Sequence, residues 1–339
     1  MKENKLKFGV LGTGAFGSAL ANILVENGNK VVMYGISETE IADINNGLNS
    51  KYFGEVKFRN PELISATDNL DFFLDQIDTA ILAVPSVAVG SLLTKVSIIL
   101  GNRKINLINL SKGLEPNTKQ FFSQYIKENY GDNINNFSSI MGPSFAAEVF
   151  AGKLTMVNIV GVNLEFNAKI AQYFNNSHFY VKPFSEIKGA ELFSALKNVL
   201  AIGLGITSVL YPGQNSHAGL LTMGTGEIFN VYKAMYPHGE NTIGYNFSSF
   251  GDIFLTCSSP SSRNFSFGAK IAEFGINKAL AEQQLTIEGY DTAKTLQKLI
   301  AEYQIANIPF LQNIISILFE GKSEQDILDF FKPKEFQKN

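Results

Sequence analysis

Short apolar runs alternate with longer segments of helical periodicity through the first half of the chain. The runs that predict buried strands are Leu6–Leu11, Val31–Tyr34, Thr79–Val84, Ile105–Asn109, Ser138–Met141 and Met156–Gly161. Between most of them apolar residues recur every three to four positions, which predicts helices that include Phe16–Asn27, Val87–Leu100 and Thr118–Asn129. This alternation is typical of an α/β fold with a parallel, doubly wound sheet.

From about Ile187 the strand pattern fades and helical periodicity continues. The helices predicted there are Ile187–Leu210, His217–Met235, Phe267–Phe274, Thr292–Ala301 and Phe310–Phe319. We therefore expect an α/β domain over residues 1–186 and an all-α domain over residues 187–339. The polar tail, residues 331–339, is expected to fray.

Lys197 lies on the apolar face of the helix predicted at Ile187–Leu210. Phe193 and Leu200, four residues before it and three residues after it, share that face. A buried ammonium group is costly unless it meets an anion or takes part in a reaction. The alternative is a lysine whose aliphatic chain runs along a partly covered helix and carries the charge to solvent.

Composition narrows the function classes. The 339 residues are 45% hydrophobic and carry a net charge of −3, with a pI near 5.8, so nothing favours nucleic acid or an anionic membrane surface. Ser, Lys and Gly interrupt the apolar stretches, so no stable membrane insertion is expected. A single cysteine, Cys257, and a start without a signal-peptide block favour a cytoplasmic protein. Apolar faces on its helices would suit a homodimer, although a closed core would look the same.

A glycine-rich turn, Gly12-Thr-Gly-Ala-Phe-Gly17, follows the first predicted strand and begins a helix. In a Rossmann-type site Gly12 permits the tight turn, Gly14 lets the backbone approach a pyrophosphate, and Gly17 lets helix and strand pack closely. The N-terminus of the helix then offers N–H groups to the phosphates. A tight turn without a ligand is the alternative.

The end of the second strand bears on which dinucleotide binds. It reads Tyr34-Gly-Ile-Ser-Glu38, with no acid before Glu38 and no basic residue beside it. The missing acid argues against an FAD oxidase, and the missing base argues against strict NADP use. NAD is slightly favoured, and use of both NAD and NADP stays open.

Three further turns follow predicted strands, where open α/β sheets bind their ligands. They are Ala83-Val-Pro-Ser86, Asn109-Leu-Ser-Lys-Gly-Leu-Glu115 with Lys112, and Met141-Gly-Pro-Ser-Phe-Ala-Ala-Glu148 with Ser144. Ser144 could cap the following helix and donate to an anion. Each feature alone also fits an ordinary turn, a solvated lysine or a structural cap.

The helical half contains a polar turn with one of only three arginines, Ser262-Arg263-Asn264. A guanidinium group beside Ser and Asn donors suits a phosphate. Asp252 could orient a lysine or accept from a substrate hydroxyl. A surface salt bridge is the alternative role for Arg263. The three histidines share no metal-ligand spacing with Cys257, so no metal is expected.

Taken in order, these segments resemble bacterial-type NAD(P)-dependent glycerol-3-phosphate dehydrogenases over nearly the whole chain. The matching motifs are Gly12-Thr-Gly-Ala-Phe-Gly17, Val84-Pro-Ser86, Ser111-Lys-Gly-Leu-Glu115, Gly142-Pro-Ser-Phe-Ala146, Leu196-Lys-Asn-Val199, Phe250-Gly-Asp252, Leu255-Thr-Cys257, Ser262-Arg-Asn264 and Ile287-Glu-Gly-Tyr290. The resemblance implies a Rossmann-type domain followed by an all-α domain, as in 6-phosphogluconate-dehydrogenase-like folds. It also implies reversible reduction of dihydroxyacetone phosphate to sn-glycerol 3-phosphate with NAD(P)H, for phospholipid synthesis.

The resemblance further implies roles for individual residues. Lys197 would be the acid/base at the substrate carbonyl. Residues implied to contact the small phosphorylated substrate are Lys112, Gly142, Ser144, Asp252, Ser262, Arg263 and Asn264. Residues implied to lie along the cofactor, beside the glycines of the turn, are Ala15, Phe16, Lys112, Ala146, Arg263 and Glu288.

The sequence departs from the family at Ile36, where NADPH-using members often carry a basic residue, and in Leu210–Met223, which lacks the usual arginines. Two other interpretations stay open. One is a related two-domain dehydrogenase acting on a hydroxy acid, and the other is a non-catalytic dinucleotide-binding protein. The presence of Lys112, Lys197 and Arg263 together argues against the second.

Overall fold

A computed structural model describes residues 6–282 and 287–331 of the chain. The chain divides into two compact units between Lys188 and Gly189. The tail that is expected to fray lies outside the described residues beyond Phe331.

The first unit is built on one eight-stranded sheet. Its strands are β1 Phe8–Leu11, β2 Val31–Tyr34, β3 Ile64–Thr67, β4 Thr79–Leu82, β5 Ile105–Asn109, β6 Ile134–Met141, β7 Thr155–Val160 and β8 Phe179–Phe184. They lie side by side in the order β3-β2-β1-β4-β5-β6-β7-β8. The first six positions reproduce the strand order of a dinucleotide-binding Rossmann sheet, which confirms the predicted fold class.

The sheet differs from the prediction in one pairing and two strands. β6 and β7 pair antiparallel, whereas every other neighbouring pair is parallel. β3 and β8 were not predicted, since both are edge strands in which buried and exposed positions alternate instead of forming a continuous apolar run. β8 also contains Pro183, a residue that sheets accept mainly at an edge.

Helices cover both faces of this sheet. They are α1 Ala15–Glu26, α2 Glu38–Asn45, α3 Ser50–Phe53, α4 Leu70–Gln76, α5 Ser86–Leu100, α6 Phe122–Tyr130, α7 Ala146–Phe150 and α8 Leu164–Phe174. Val10 and Ile81 point into a core shared with α1, α7 and α8, while Leu11 and Leu82 point into a core shared with α4, α5 and α6. Successive strand residues thus bury opposite faces, which explains the uninterrupted apolar runs.

The described part of the second unit is helical. Its helices are α9 Ile187–Leu210, α10 Gln214–Met235, α11 Asp252–Cys257, α12 Arg263–Phe274, α13 Ile276–Ala281, α14 Glu288–Tyr303 and α15 Pro309–Phe319. A π-helical turn, Phe247–Gly251, leads into α11. Short 3₁₀ turns of the chain lie at Pro61–Leu63, Gly131–Asn133, Ile243–Tyr245, Glu324–Asp326 and Asp329–Phe331. The sequence pattern predicted that α12 begins at Phe267, whereas it begins at Arg263. The first turn of this helix is polar, so it does not show the spacing of apolar residues on which the prediction was based.

α9 is the core helix of the second unit. Gly203 packs on Ile314 of α15, and Gly205 packs on the backbone of Phe265 in α12. With 24 residues, α9 is long and apolar enough to cross a membrane by length and composition alone. The Gly and Lys residues that interrupt its apolar sequence therefore do not by themselves exclude a membrane-spanning helix. Within the protein 89% of its most apolar 18-residue window is buried, which accounts for the apolar composition of α9 without a membrane.

Candidate active site

The turn after β1 has the backbone conformation that the glycine motif predicts. Gly12 has φ +117°, and a Cβ there would lie 2.6 Å from the carbonyl oxygen of Ala83. A Cβ on Gly17 would lie 2.7 Å from the Cβ of Ala83. At Gly14 the nearest heavy atom is 4.0 Å away, so that side of the turn is open. Packing therefore requires glycine at positions 12 and 17, whereas a side chain at position 14 would meet no close protein atom.

The N-terminus of α1 begins in this turn. Gly14 is the N-cap, no side chain caps the helix, and Ala15 and Phe16 are its first two residues. The N–H groups of a first helical turn have no partner within the helix, and the positive end of the dipole lies there. Phe16 packs against the core that the sheet shares with α1, α7 and α8. The turn therefore fits the pyrophosphate of a dinucleotide.

The sheet brings the glycine turn and the three further predicted turns to one edge. β1, β4, β5 and β6 are parallel neighbours, so the turns that follow them lie beside one another. Lys112 Nζ donates to the carbonyl oxygen of Gly142 at 3.2 Å, and Ser111 Oγ donates to that of Val84 at 3.4 Å. Lys112 and Gly142, predicted from separate motifs, thus meet at the carboxyl edge of the sheet.

The predicted cap at Ser144 is wrong. α7 begins at Ala146 with Phe145 as its N-cap and without a side-chain cap. The hydroxyl of Ser144 donates instead to the carbonyl oxygen of Gly142 at 3.1 Å. The helix begins too late for Ser144 to reach its first turn, and Ser144 joins Lys112 at the same backbone oxygen.

Glu40, which the sequence pattern did not single out, interacts with the glycine turn. Its carboxylate accepts from the hydroxyl of Thr13 and from Lys51 Nζ, the latter at 2.5 Å. Burial raises the pKa of Glu40, but the hydrogen bonds from Lys51 and Thr13 outweigh it, so the pKa lies below its ordinary value. Ile36 at the end of β2 is 90% exposed. An ionised carboxylate is therefore already paired next to the turn.

Lys197 is buried in the second unit and paired with Asp252. Its Nζ lies 2.7 Å from Asp252 Oδ2, with 5% of the lysine and 2% of the aspartate side chain exposed. Nζ also donates to Thr256 Oγ1 at 3.1 Å. The alternative in which Lys197 extends to solvent is thereby excluded. Thr256 follows Asp252 by four residues on α11, a spacing that could have identified it.

The fold explains why the charge is tolerated there. Every residue of α9 from Gly189 to Thr207 is buried, so the side chain of Lys197 is largely shielded from water. Asp252 follows directly on the π-helical turn Phe247–Gly251, and its carboxylate supplies the opposite charge to the buried ammonium group. Cys257 Sγ, at the end of α11, donates to the carbonyl oxygen of Lys197 at 3.6 Å. Burial raises the pKa of Cys257, so its thiol stays protonated and packs as a neutral group.

Asn198 joins the helix of Lys197 to the predicted substrate turn. It accepts from Asn264 Nδ2 at 3.0 Å and donates to Glu288 Oε2 at 3.2 Å. Asn264 Oδ1 accepts from the N–H of Gly289 at 2.9 Å. The predicted residues Asn264 and Glu288 therefore lie together at the beginnings of α12 and α14. The only sequence signal for Asn198 was its place beside Lys197.

Ser262 and Arg263 begin α12. Ser262 is the N-cap and accepts from the N–H of Phe265 at 3.4 Å. Arg263 Nη2 lies 3.6 Å from Glu288 Oε1, and their side chains are 54% and 41% exposed. The surface salt bridge expected as the alternative is therefore present, but such an exposed pair contributes little to stability. Arg263 precedes Asn264 in the chain, and about half of the surface of the Arg263 side chain is exposed.

Comparison with known proteins identifies the family. Residues 7–167 match the family model described as NAD-dependent glycerol-3-phosphate dehydrogenase N-terminus, and residues 186–329 match that of the C-terminus. A "Glycerol-3-phosphate dehydrogenase [NAD(P)+]" of Malacoplasma penetrans is 40% identical over 332 residues, 97% of this chain and 94% of the relative. One of Mesoplasma florum is 36% identical over 330 residues, 96% of this chain and 97% of the relative.

A solved structure has the same fold. The crystal structure of glycerol-3-phosphate dehydrogenase from Coxiella burnetii superposes with a TM-score of 0.82 at 26% identity, and covers 97% of this chain and 99% of its own. The resemblance of the sequence motifs is thus confirmed by the two family models, by relatives along the full chain and by the fold. The chain belongs to the NAD-dependent glycerol-3-phosphate dehydrogenase family.

Proposed function

We propose that this protein is an NAD(P)-dependent glycerol-3-phosphate dehydrogenase, which reversibly reduces dihydroxyacetone phosphate to sn-glycerol 3-phosphate for glycerophospholipid synthesis. The observation that carries the proposal is the buried Lys197–Asp252 pair, 2.7 Å apart, in a chain of this family that also contains the dinucleotide turn. In this scheme residues 1–186 bind the dinucleotide and residues 187–339 bind the substrate.

The first unit would hold the cofactor. The proposed contacts to the pyrophosphate are the backbone of Gly12, Gly14, Ala15, Phe16 and Gly17. Lys112 and Ala146 would lie further along the dinucleotide, with Arg263 and Glu288 of the second unit. When bound, NAD(H) or NADP(H) supplies or accepts the hydride. An exposed isoleucine at position 36, in place of a basic residue that would bind the 2′-phosphate of NADP, supports a slight preference for NAD.

Lys197 would handle the proton. As a carbonyl is reduced, negative charge grows on its oxygen, and an ammonium group within hydrogen-bond distance stabilises that charge and then donates its proton. In the reverse direction the neutral amine accepts the hydroxyl proton. Asp252 stabilises the ammonium form, and both Asp252 and Thr256 hold Nζ in one direction. This role needs the burial that the pair has, since water would weaken the interaction.

The turn Ser262-Arg263-Asn264 would bind the phosphate of the substrate. A half-exposed arginine side chain, with a serine and an asparagine next to it in the chain, can offer several directed donors to phosphate oxygens. The binding energy gained at the phosphate would position the carbonyl for reduction. Lys112, Gly142 and Ser144, gathered at one oxygen in the first unit, are proposed as further substrate contacts.

Other expectations stay predictions from the sequence. They are the homodimer, the absence of nucleic-acid binding and the cytoplasmic location.

The test follows NADH and NADPH absorbance with dihydroxyacetone phosphate and with a panel of 2-keto acids. We expect oxidation with the phosphate substrate, and turnover of a keto acid alone would overturn the proposal. Lys197→Ala should abolish turnover while cofactor fluorescence still reports binding, and near-normal activity would remove Lys197 from the mechanism. Arg263→Ala should raise KM for the phosphate substrate, whereas Lys270→Ala on the same helix α12 should leave it unchanged. An unchanged KM in Arg263→Ala would contradict the phosphate role.

A further inference from the structure

We propose that His217 is a positioning residue that holds the turn Ser258-Ser-Pro-Ser-Ser262, here named the serine turn, where Arg263 and Asn264 can meet the substrate phosphate. The inference rests on the proposed function, since it assigns a support to the same phosphate-binding residues. His217 lies in the first turn of α10, within the segment Leu210–Met223 that departs from the family pattern.

His217 touches the segment on both sides of the phosphate-binding residues. Its Nε2 lies 2.9 Å from Ser258 Oγ, at the start of the serine turn. Its ring meets the ring of Phe265 edge to face, with centroids 6.4 Å apart. Ser262, Arg263 and Asn264 all lie between these two contacts in the chain. One side chain of α10 therefore fixes both ends of the stretch that carries them.

The other hydrogen bonds described for the serine turn are local. The N–H of Ser258 donates to Phe254 at 3.0 Å, the N–H of Ser262 donates to Ser259 at 2.9 Å, and Ser266 Oγ donates to Pro260 at 2.6 Å. These bonds shape the turn but join it only to its neighbours in sequence. The bond to His217 spans 41 residues and ties the turn to another helix.

The imidazole acts as a hydrogen-bonding group rather than as a cation. Burial lowers the pKa of His217 below its ordinary value, so the ring is neutral at physiological pH. A neutral ring offers one donor and one acceptor, and either can meet the hydroxyl of Ser258. His217 therefore contributes geometry, whereas Arg263 contributes the charge.

The expected effect is on substrate binding. Loss of one neutral hydrogen bond that orients the turn should raise KM for dihydroxyacetone phosphate by about three- to tenfold. The Lys197–Asp252 pair is held by α9 and α11, so kcat should change by less than about twofold.

Two substitutions of His217 test whether a polar nitrogen is needed at the position of Nε2. His217→Gln places an amide nitrogen near the position of Nε2, whereas His217→Asn is too short to reach Ser258. We expect a raised KM in H217N, rescue in H217Q, and the same rise in S258A, which leaves the histidine intact. His238→Asn, at an exposed histidine of the same unit, is the matched control and should leave KM unchanged. Thermal unfolding of each variant shows whether it folds, and S258A tests the contact if H217N does not.

The experiment closes with Arg263→Ala alone and combined with H217N. If His217 acts by placing Arg263 and Asn264, H217N raises KM less in the R263A background, where only Asn264 remains to be placed, than in the wild type. A full additional rise would mean that His217 meets the substrate itself, and it would overturn the positioning role. An unchanged KM in both H217N and S258A beside a raised KM in R263A would refute this inference but leave the proposed function standing. An unchanged KM in R263A would instead refute the phosphate role of Arg263.

Discussion

Replacing Asp252 by Asn removes one charge from a buried pair while nearly preserving its shape. Lys197 Nζ and Asp252 Oδ2 lie 2.7 Å apart, and each side chain is at most 5% exposed. After the substitution the ammonium group still donates to Thr256, but the carboxylate charge of Asp252 that faced it is gone. The second unit should therefore lose stability, and Lys197 should lose the group that holds it.

The magnitude follows from the distance and the burial. With an effective dielectric constant of about 20, Coulomb's law gives the pair roughly 6 kcal/mol of attraction at 2.7 Å. Desolvation of the two ions offsets much of this, yet breaking one side of a buried pair usually costs about 3–5 kcal/mol. We expect D252N to lower the free energy of unfolding of the second unit by that amount.

The assay is urea unfolding followed by circular dichroism, for the wild type, D252N, K197M and the double variant K197M/D252N. Each single variant leaves one buried charge without the opposite charge of the pair, whereas the double variant removes both charges. The double variant should therefore be more stable than D252N, and the cycle isolates the energy of the pair. Thermal melts with and without NADH show that the first unit stays folded.

Two results would refute this reasoning. If D252N loses less than about 1 kcal/mol, the ion pair is not the buried, unscreened interaction that its geometry indicates. If K197M/D252N is as unstable as the two single variants added together, the two side chains contribute independently.

Two further predictions concern neighbouring groups. Thr256→Val removes the hydroxyl to which Lys197 donates at 3.1 Å, so steady-state kinetics should show kcat lowered roughly tenfold, with KM nearly unchanged; an equal kcat would mean that Asp252 alone orients Nζ. Glu227 accepts from the N–H groups of Phe310 and Leu311 at the start of α15, but burial raises its pKa from 4.5 to about 7. The folded protein therefore binds an extra proton between these values, and the stability present below pH 4.5 is lost as pH rises through 7, by about 3 kcal/mol. Glu227→Gln should abolish this part of the pH dependence of urea unfolding, and an unchanged slope between pH 5 and 8 would contradict it.

The sequence by itself determined the parts that depend on neighbours along the chain. The glycine spacing required the tight turn at Gly12, and the unbroken apolar strands required a sheet buried on both faces. Helical periodicity placed Lys197 on the apolar face of its helix and left open whether its ammonium group reaches solvent. These features are local, because a turn needs a particular φ and a helix repeats every 3.6 residues.

Tertiary structure decided what each group meets. The periodicity of α9 placed Lys197 on an apolar face, but only tertiary packing showed that its ammonium group is buried with Asp252 and Thr256 of α11 as partners. Only tertiary packing likewise showed that Asn198 of α9 and Asn264 of α12 form a hydrogen bond. The same is true of Ser144, which binds a strand-end oxygen and caps no helix. Partners between elements far apart in sequence depend on how helices and strand ends are stacked, and a repeat along one element carries no information about that.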